Sequence, residues 1–518
     1  MFHKHVHQAF KSTVETAFYH NHVIPVKTRE AAYRMSETAP ATIVTDLVVN
    51  HTEALGLPQN AKVLVDNNGS VVGRTARARH IIDSPKDMAF VKLVQDIIAN
   101  NHNRPFYSSC VYVGLDDDFQ MNVHIMIPQG HENNLYNTMM NFEAGCIENP
   151  KGEQFIYVDP DWRHPDYPQG LVLLDPHEDV AVILGLNYFG EIKKAILSLA
   201  WNAAKRYNYI PCHGGLKYMK DGEHEQVMAA FGLSGSGKST ITFAQPKATT
   251  EVKVLHDDAF IIHEETKRAI ALEPSYFDKT ADYPMGHDAI EAFITVQNNG
   301  VVRDDSGKLV LKTEDIRNGN GRTIKSKYWT DNRIDAIDTP LKTVFWIMRD
   351  DAFPPCVRLD DPVLAAVMGA TISTTRSNAE NTDEVGKLVI EPYANPFRLY
   401  PLLEDYTQFK SLFESEDVTG YILNTGYFNG DKIKPEDTMK VIHDILTDTV
   451  VFQPFGPLPK MSYAVSDAFT PDFDNVDYLE KLRRTFTLRE KYLLDADEWH
   501  WLPKETYSII KNILQEIH

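Results

Sequence analysis

A mixed α/β fold of two or more domains follows from three features of this chain. At 518 residues it is longer than a single hydrophobic core ordinarily organises. Short apolar runs of strand character, such as 171–174, Val180–Leu184 and 343–348, alternate with longer stretches of helical period. A strand-like run at 227–231 leads straight into Gly232-Leu233-Ser234-Gly235-Ser236-Gly237-Lys238-Ser239-Thr240, the strand–loop–helix pattern of a phosphate-binding loop.

The residue types in that loop suit its chemistry. Glycines let the backbone take positive φ and bring N–H groups against phosphate oxygens with no Cβ between. Lys238 is placed for the β and γ phosphates of a nucleoside triphosphate, and the Ser239 hydroxyl for its Mg²⁺. A helix can open from Ser239, with an N-terminus that favours anions. Further on, Val254-Leu255-His256 runs into Asp257-Asp258. An Asp pair alone is usually a solvated turn. After an apolar strand, beyond a phosphate loop, it has the arrangement that holds a metal ion.

The other elements read in order. Met1 to His7 has no long apolar run of a secretory leader and is expected to be flexible, with a His3, His5, His7 metal cluster as the lesser alternative. Residues 62–66 read as a strand entering a turn at Asn67-Asn68-Gly69, followed by a strand at 71–74. Strands are expected at 123–127, 171–174 and Val180–Leu184, then a helix over 191–206 with Ile192, Ile196, Leu199 and Ala203 on one side. Strands near 254, 260–262, 343–348 and 420–424 follow, and the last forty residues look helical. The polar stretch 298–338 reads as an elaborated hairpin or surface excursion, and 369–386, dense in Thr, Ser and Asn, as a mobile lid. A boundary near 210 separates an expected substrate domain, 1–210, from an expected nucleotide and metal domain, 211–518.

Composition excludes several classes. Hydrophobic content of 43% and charged content of 24% are those of a globular protein. A formal charge of −20 argues against nonspecific nucleic-acid binding while permitting a local basic pocket. No window approaches eighteen apolar residues, so no membrane span is expected. Cys110, Cys146, Cys212 and Cys356 lack C-x-x-C spacing and are too few for a disulfide framework, so a reducing compartment, the cytoplasm, is expected.

The segment Asn187-Tyr188-Phe189-Gly190-Glu191-Ile192-Lys193-Lys194, followed by Cys212-His213, the phosphate loop and Asp257-Asp258, resembles the ATP-dependent phosphoenolpyruvate carboxykinase family. Gly73-Arg74, 276–280, 351–359 and Asn424-Thr425-Gly426-Tyr427 are similar to further family segments, in the family's order from about 70 to 440. The resemblance implies a two-domain carboxykinase fold, with a phosphate-loop nucleotide domain and the active site in an interdomain cleft. It implies conversion of oxaloacetate and ATP to phosphoenolpyruvate, ADP and CO₂ in gluconeogenic or anaplerotic metabolism.

By the same resemblance, Lys194, His213 and Asp258 would bind Mn²⁺, which requires Lys194 as the free amine. Ser239 would hold the nucleotide's Mg²⁺ with Asp257 in its outer shell. Arg74 and Arg358 would clamp substrate carboxylates through guanidinium forks, Arg358 also counting on the nucleotide side. Tyr188 would lie near the departing CO₂, Lys193 and Lys238 would follow the phosphoryl group, and Lys279 would assist at the triphosphate. Lys432 and Thr438 would meet the adenosine. Partners would be small molecules only, and a monomer is expected. Taken singly, each of these residues is as readily a surface feature; taken together, they fall in the family's order.

There are departures. Thr75-Ala76-Arg77-Ala78-Arg79 stands where the family has Ser-Pro-Lys-Asp, Gly214-Gly215-Leu216 replaces Cys-Ser-Ala, and Ala259-Phe260 replaces Glu-His. The lid stretch lacks Gly-Thr-Glu, Lys432 replaces an arginine, and Gln297 a ribose-binding glutamate. Two alternatives therefore stand beside the carboxykinase: a kinase of the same fold with another acceptor, and a nucleotide-binding regulator without turnover.

Overall fold

The computed structural model describes residues 2–69, 78–233, 235–315, 320–375, 388–415 and 417–517. The chain divides into two units, Met1–Ala203 with Leu272–Asp331, and Ala204–Ala271 with Asn332–His518. The first cut falls close to the expected 210, but 272–331 returns to the first unit, which a single cut cannot express. Arg74, the 71–74 strand, Ser234 and most of the expected lid lie outside the described residues.

In the first unit, a mixed sheet, eight strands among the described residues, runs Val23–Pro25, Phe106–Asp116, Phe119–Pro128, Gly152–Asp159, Val180–Leu184, Leu171–Asp175, Ala78–Ile81, with Glu143–Ala144 beside Phe106–Asp116. The N-terminus is not a flexible tail. Phe2–His20 is a helix that buries Val6, Phe10, Val14 and Ala17 against this sheet's core. Their spacings of four and three residues make one helical stripe. His7 is also buried, with Nδ1 3.0 Å from both Asp175 carboxylate oxygens, so it is a packed hydrogen-bond partner. Cys110 and Cys146, expected to be free, form a disulfide with Cα atoms 5.5 Å apart, while Cys212 and Cys356 are buried thiols.

A second sheet of this unit, five strands among the described residues, has the order Tyr276–Lys279, Arg322–Lys325, Phe293–Gln297, Lys62–Asp66, Ile43–Val48. The expected polar excursion therefore supplies one of its strands, Arg322–Lys325. Within the same stretch Gly300–Arg303 and Leu309–Lys312 form a separate hairpin.

The second unit is built on a sheet with the order Glu251–His256, Gly215–Asp221, His224–Phe231, Leu341–Met348, Thr419–Asn424, Cys356–Leu359, Met461–Ala464, Phe452–Pro454. The strands His224–Phe231, Leu341–Met348 and Thr419–Asn424 are mutually parallel and almost wholly buried. Burial on both faces explains why they read as continuous apolar runs. One face carries the helix Pro362–Ala370, capped by Asp361 accepting from Leu364 N–H at 3.0 Å. Gly369 in that helix permits close packing, since a Cβ there would lie 2.6 Å from the Trp346 ring and 2.7 Å from Tyr393. Gly369 to Ser373, the start of the expected lid, are thus core, and Ser373–Thr375 pairs with Leu388–Ile390.

The helix Val476–Leu494 inserts Arg489, fully buried, beside the end of Leu341–Met348. Its guanidinium donates to Thr485 Oγ1 at 2.6 Å and Ser373 Oγ at 2.9 Å, and lies 3.8 Å from the Asp350 carboxylate. Removing one partner of a buried ion pair leaves an uncompensated charge. Arg489→Met is therefore expected to destabilise the protein by about 3 kcal/mol, read as a lower urea midpoint with an unchanged slope.

Candidate nucleotide and metal site

The phosphate loop leaves the C-terminal end of His224–Phe231 and enters the short helix Lys238–Phe243. Gly235 and Gly237 have φ of +80° and +94°, a region that a side chain would strain. Ser236 N–H donates to Leu233 O at 3.0 Å, closing the turn. The Ser236 hydroxyl is buried without a hydrogen-bond partner among the described residues. Lys238, half-buried, makes no ion pair with any described residue. An orphaned buried hydroxyl, two left-handed glycines and an uncommitted ammonium fit an oxyanion ligand such as phosphate. Ser239 and Thr240 are exposed beside them.

Two neighbouring strands deliver their own loops to the same edge. Thr425 Oγ1 donates to Ser236 O at 2.7 Å, and Thr425 N–H to Met348 O at 3.1 Å. Asn424, fully buried, donates through Nδ2 to Asp350 O at 2.9 Å, Phe353 O at 2.6 Å and Tyr427 O at 2.9 Å. Its Oδ1 accepts from Gly426 N–H at 2.9 Å. The phosphate loop, the 350–353 turn and the 424–427 turn therefore meet at the carboxyl ends of three parallel strands, where open α/β sheets bind ligands.

Lys217 was not singled out from the sequence, where it is a lone lysine in an alternating strand. It is almost fully buried under the loop helix and donates to Ile241 O at 2.6 Å and Ala244 O at 2.7 Å. These are carbonyls of the helix's last turn, which a cation satisfies well. Burial lowers its pKa from the usual lysine range to about 7.

His213 and Asp258 come together. The antiparallel strands Tyr209–His213 and Ala259–His263 place His213 opposite Ala259, and Nε2 lies 2.8 Å from Asp258 Oδ1. The His213 Nδ1 sits 2.5 Å from Ala394 O, which fixes it as the donor nitrogen and turns Nε2 toward the carboxylate. A neutral imidazole Nε2 and a carboxylate oxygen suit a divalent cation. The preceding residue shapes this turn: buried His256 accepts from Asp258 N–H at 3.0 Å and Ala259 N–H at 3.2 Å. Asp257 is itself buried.

Other expected residues of this unit are occupied differently. Arg358 donates through Nε to Asp360 Oδ1 at 2.6 Å and stacks over Phe452 at 4.5 Å, which orients its guanidinium at the side of the sheet. Lys432 is exposed in the Tyr427–Phe428, Asp431–Lys432 hairpin, whose Asn429-Gly430 turn has both φ positive. Thr438 is buried, its hydroxyl 3.5 Å from Lys434 O.

In the first unit, Tyr188, Lys193 and Lys194 lie at the head of the helix Phe189–Lys205. The Tyr188 ring lies across Gly190, where a Cβ would meet it at 2.5 Å, which explains the glycine two residues on. Lys193 is buried 2.9 Å from Glu273 Oε1, and Asn141 donates to Glu273 Oε2 at 2.6 Å. Lys194 Nζ lies 5.8 Å from the Trp201 ring.

Gln297, read as the counterpart of a ribose-binding glutamate, is buried. It accepts from Phe189 N–H at 2.9 Å and donates to Asp66 at 2.6 Å. Burial pushes the Asp66 carboxyl up to about 6, against the Gln297 hydrogen bond. The same strand row aligns Arg322 with Lys279 on one side and Gln297 on the other. Arg322, missed within the supposed excursion, gives Lys279 a cationic neighbour.

The tetrapeptide Ser-Pro-Lys-Asp, absent directly after Gly73-Arg74, stands at Ser84–Asp87 as a short turn. Asp87 accepts from Asp83 N–H at 3.0 Å and Ser84 N–H at 2.9 Å.

The loop, its flanking turns and the His213–Asp258 pair define a phosphate-loop nucleotide-binding protein. A family model described as phosphoenolpyruvate carboxykinase matches residues 36–472, and the chain belongs to that family, in its ATP-dependent branch. It is 26% identical over 301 residues to the phosphoenolpyruvate carboxykinase (ATP) of Aeropyrum pernix, covering 55% of this chain and 60% of that protein. The enzyme of the same name from Flavobacterium johnsoniae is 27% identical over 225 residues, covering 39% and 41%. That from Shouchella clausii is 20% identical over 422 residues, covering 76% and 77%. The chain thus spans less than two thirds of the length of the first two relatives. Among the described residues no helix is long and apolar enough to cross a membrane.

Lys217 generates a pH prediction. The unfolded chain keeps this proton up to the usual lysine range, whereas the folded chain releases it near pH 7. The unfolded state then binds more protons, so stability rises with pH across that window. In urea melts from about pH 7 to 10, Lys217→Met is expected to flatten this rise relative to the parent.

Proposed function

We propose that the chain is an ATP-dependent phosphoenolpyruvate carboxykinase: oxaloacetate and ATP give phosphoenolpyruvate, ADP and CO₂. The observation that carries this reading is the joining of the phosphate loop to the 424–427 turn by Thr425, with that turn held to 350–353 by Asn424, in a chain of this family. The N–H groups of 232–240 and Lys238 hold the triphosphate, and Ser239 and Asp257 face its magnesium. His213, Asp258 and Lys194 are assigned to a manganese ion. That ion, when bound, stabilises negative charge on the substrate's enolate oxygen.

The bond between the carboxylate carbon and the methylene of oxaloacetate breaks, CO₂ leaves, and the enolate oxygen takes the γ-phosphoryl group. Tyr188 shapes the space for CO₂, and Arg74 takes a substrate carboxylate. We place the second anion contact at Arg322, which pairs with Lys279 across the sheet, while Arg358 gives its Nε to Asp360. Lys193 acts through its pair with Glu273, and Lys432 and Thr438 are kept as adenosine contacts. A cytoplasmic, gluconeogenic setting and a monomer complete the reading.

The test supplies phosphoenolpyruvate, bicarbonate, ADP, Mg²⁺ and Mn²⁺, with oxaloacetate drained to malate by an NADH-linked enzyme. ADP-dependent NADH oxidation is expected. ATP turnover on other acceptors without it would refute the proposal, as would nucleotide binding with no turnover. Lys238→Ala is expected to lower kcat about a thousandfold. His213→Ala is expected to raise the Mn²⁺ concentration giving half-maximal activity, while binding of MgATP, measured by calorimetry, stays within about twofold.

A further inference from the structure

The first unit holds a cluster outside this chemistry. Ligand atoms of Cys110, His124 and Cys146 all lie within 4.8 Å of one another. Cys110 on Phe106–Asp116 and His124 on Phe119–Pro128 are directly paired across the antiparallel ladder. Directly opposed residues on such a ladder bring their Cβ atoms to about 5 Å. Cys146 arrives on the segment after Glu143–Ala144, which pairs with the Cys110 strand.

Backbone and side-chain contacts hold this arrangement independently of the sulfur–sulfur bond. Gly145 N–H donates to Cys110 O at 2.9 Å, with Gly145 at φ +112°, a conformation suited to glycine. Buried Asn122 donates to Ile147 O at 3.1 Å and accepts from Ile147 N–H at 2.9 Å, pinning the residue beside Cys146. It also donates to Glu153 Oε1 at 3.2 Å. The other Glu153 oxygen meets His124 Nε2. His124 stacks on Phe155 at 5.0 Å and meets Phe18 edge-on at 6.5 Å. A carboxylate on one ring nitrogen leaves the other as the lone-pair donor, the way metal-bound histidines are oriented. Among the described residues His124 Nδ1 has no hydrogen-bond partner.

We propose that Cys110, Cys146 and His124 form a site for a soft divalent cation, Zn²⁺, open when the two thiols are reduced and closed by their disulfide. Two thiolates and an imidazole are the ligands that select zinc, and three of them leave the fourth tetrahedral corner to solvent at exposed Cys146. Glu153 is the positioning residue for His124.

Closure is thiol–disulfide exchange with a low-molecular-weight disulfide. The Cys146 thiolate attacks one sulfur of that disulfide and expels a thiolate. The Cys110 thiolate then attacks Cys146 and expels the second. Two electrons pass from the cysteines to the small disulfide, two small thiolates form, and the cation is released as the aquo ion.

Cobalt reports the site in the full chain, since thiolate ligands give Co²⁺ a near-ultraviolet charge-transfer band and oxygen or nitrogen ligands do not. The anaerobic reduced protein is expected to show this band at one Co²⁺ per chain, and oxidised glutathione to bleach it. Cys110→Ser and Cys146→Ser are expected to abolish it. Glu153→Gln should weaken Co²⁺ binding about tenfold or more, and Cys212→Ser should leave it unchanged.

A second readout needs no variant: Zn²⁺ should slow alkylation of Cys146 by iodoacetamide in the parent protein. Absence of the band in reduced protein, its persistence in Cys110→Ser, or Cys146 alkylation indifferent to Zn²⁺ would each overturn the proposal.

Discussion

The carboxamide of Asn424 holds the second unit's working edge together. It is fully buried, and its donors reach three backbone carbonyls while its oxygen accepts a fourth backbone group. Those groups belong to turns that leave separate strands, where no ladder partner remains for them. Buried backbone groups without partners are costly, so one side chain that satisfies four of them fixes where the turns lie. An aspartate at this position would supply no donor. With the 424–427 turn set in this way, Thr425 reaches Ser236 O and locates the phosphate loop.

Below the loop the same economy recurs. Lys217 closes the last carbonyls of the helix Lys238–Phe243, and Arg489 ties the 350–353 turn to the helix Val476–Leu494. Both are buried basic side chains whose partners are supplied by elements distant in the chain. In the first unit, the Asp66–Gln297–Phe189 chain of hydrogen bonds anchors the head of the helix that carries Lys193 and Lys194. Charged and polar groups inside each unit thus set loop positions that apolar packing alone would leave free.

Much of this was legible in the sequence because it is local. The phosphate loop, its strand and the Asp257-Asp258 turn all lie between His224 and Asp258, and each carries a backbone requirement that only certain residues meet. The parallel strands were visible as apolar runs because both their faces are covered. What escaped was set by pairing over long separations. Cys110 and Cys146 are 36 residues apart and meet only through the register of neighbouring strands. Arg322 lay in a polar segment whose strand character depends on its sheet neighbours. Arg358 matched a motif, and Asp360, two residues on, takes its Nε, a partner that no motif announces. The N-terminal helix was hidden by its histidines, although Val6, Phe10, Val14 and Ala17 already formed a helical stripe.

The central claim is that the Asn424–Thr425 turn positions the phosphate loop for a nucleoside triphosphate. Calorimetric titration of MgATP into the parent protein and Thr425→Val tests it most directly, because valine keeps the shape and removes only the bond to Ser236 O. Loss of one such hydrogen bond predicts affinity about five- to tenfold weaker, with the thermal midpoint little changed. Equal affinity in the two proteins, or no binding by the parent, would contradict the account.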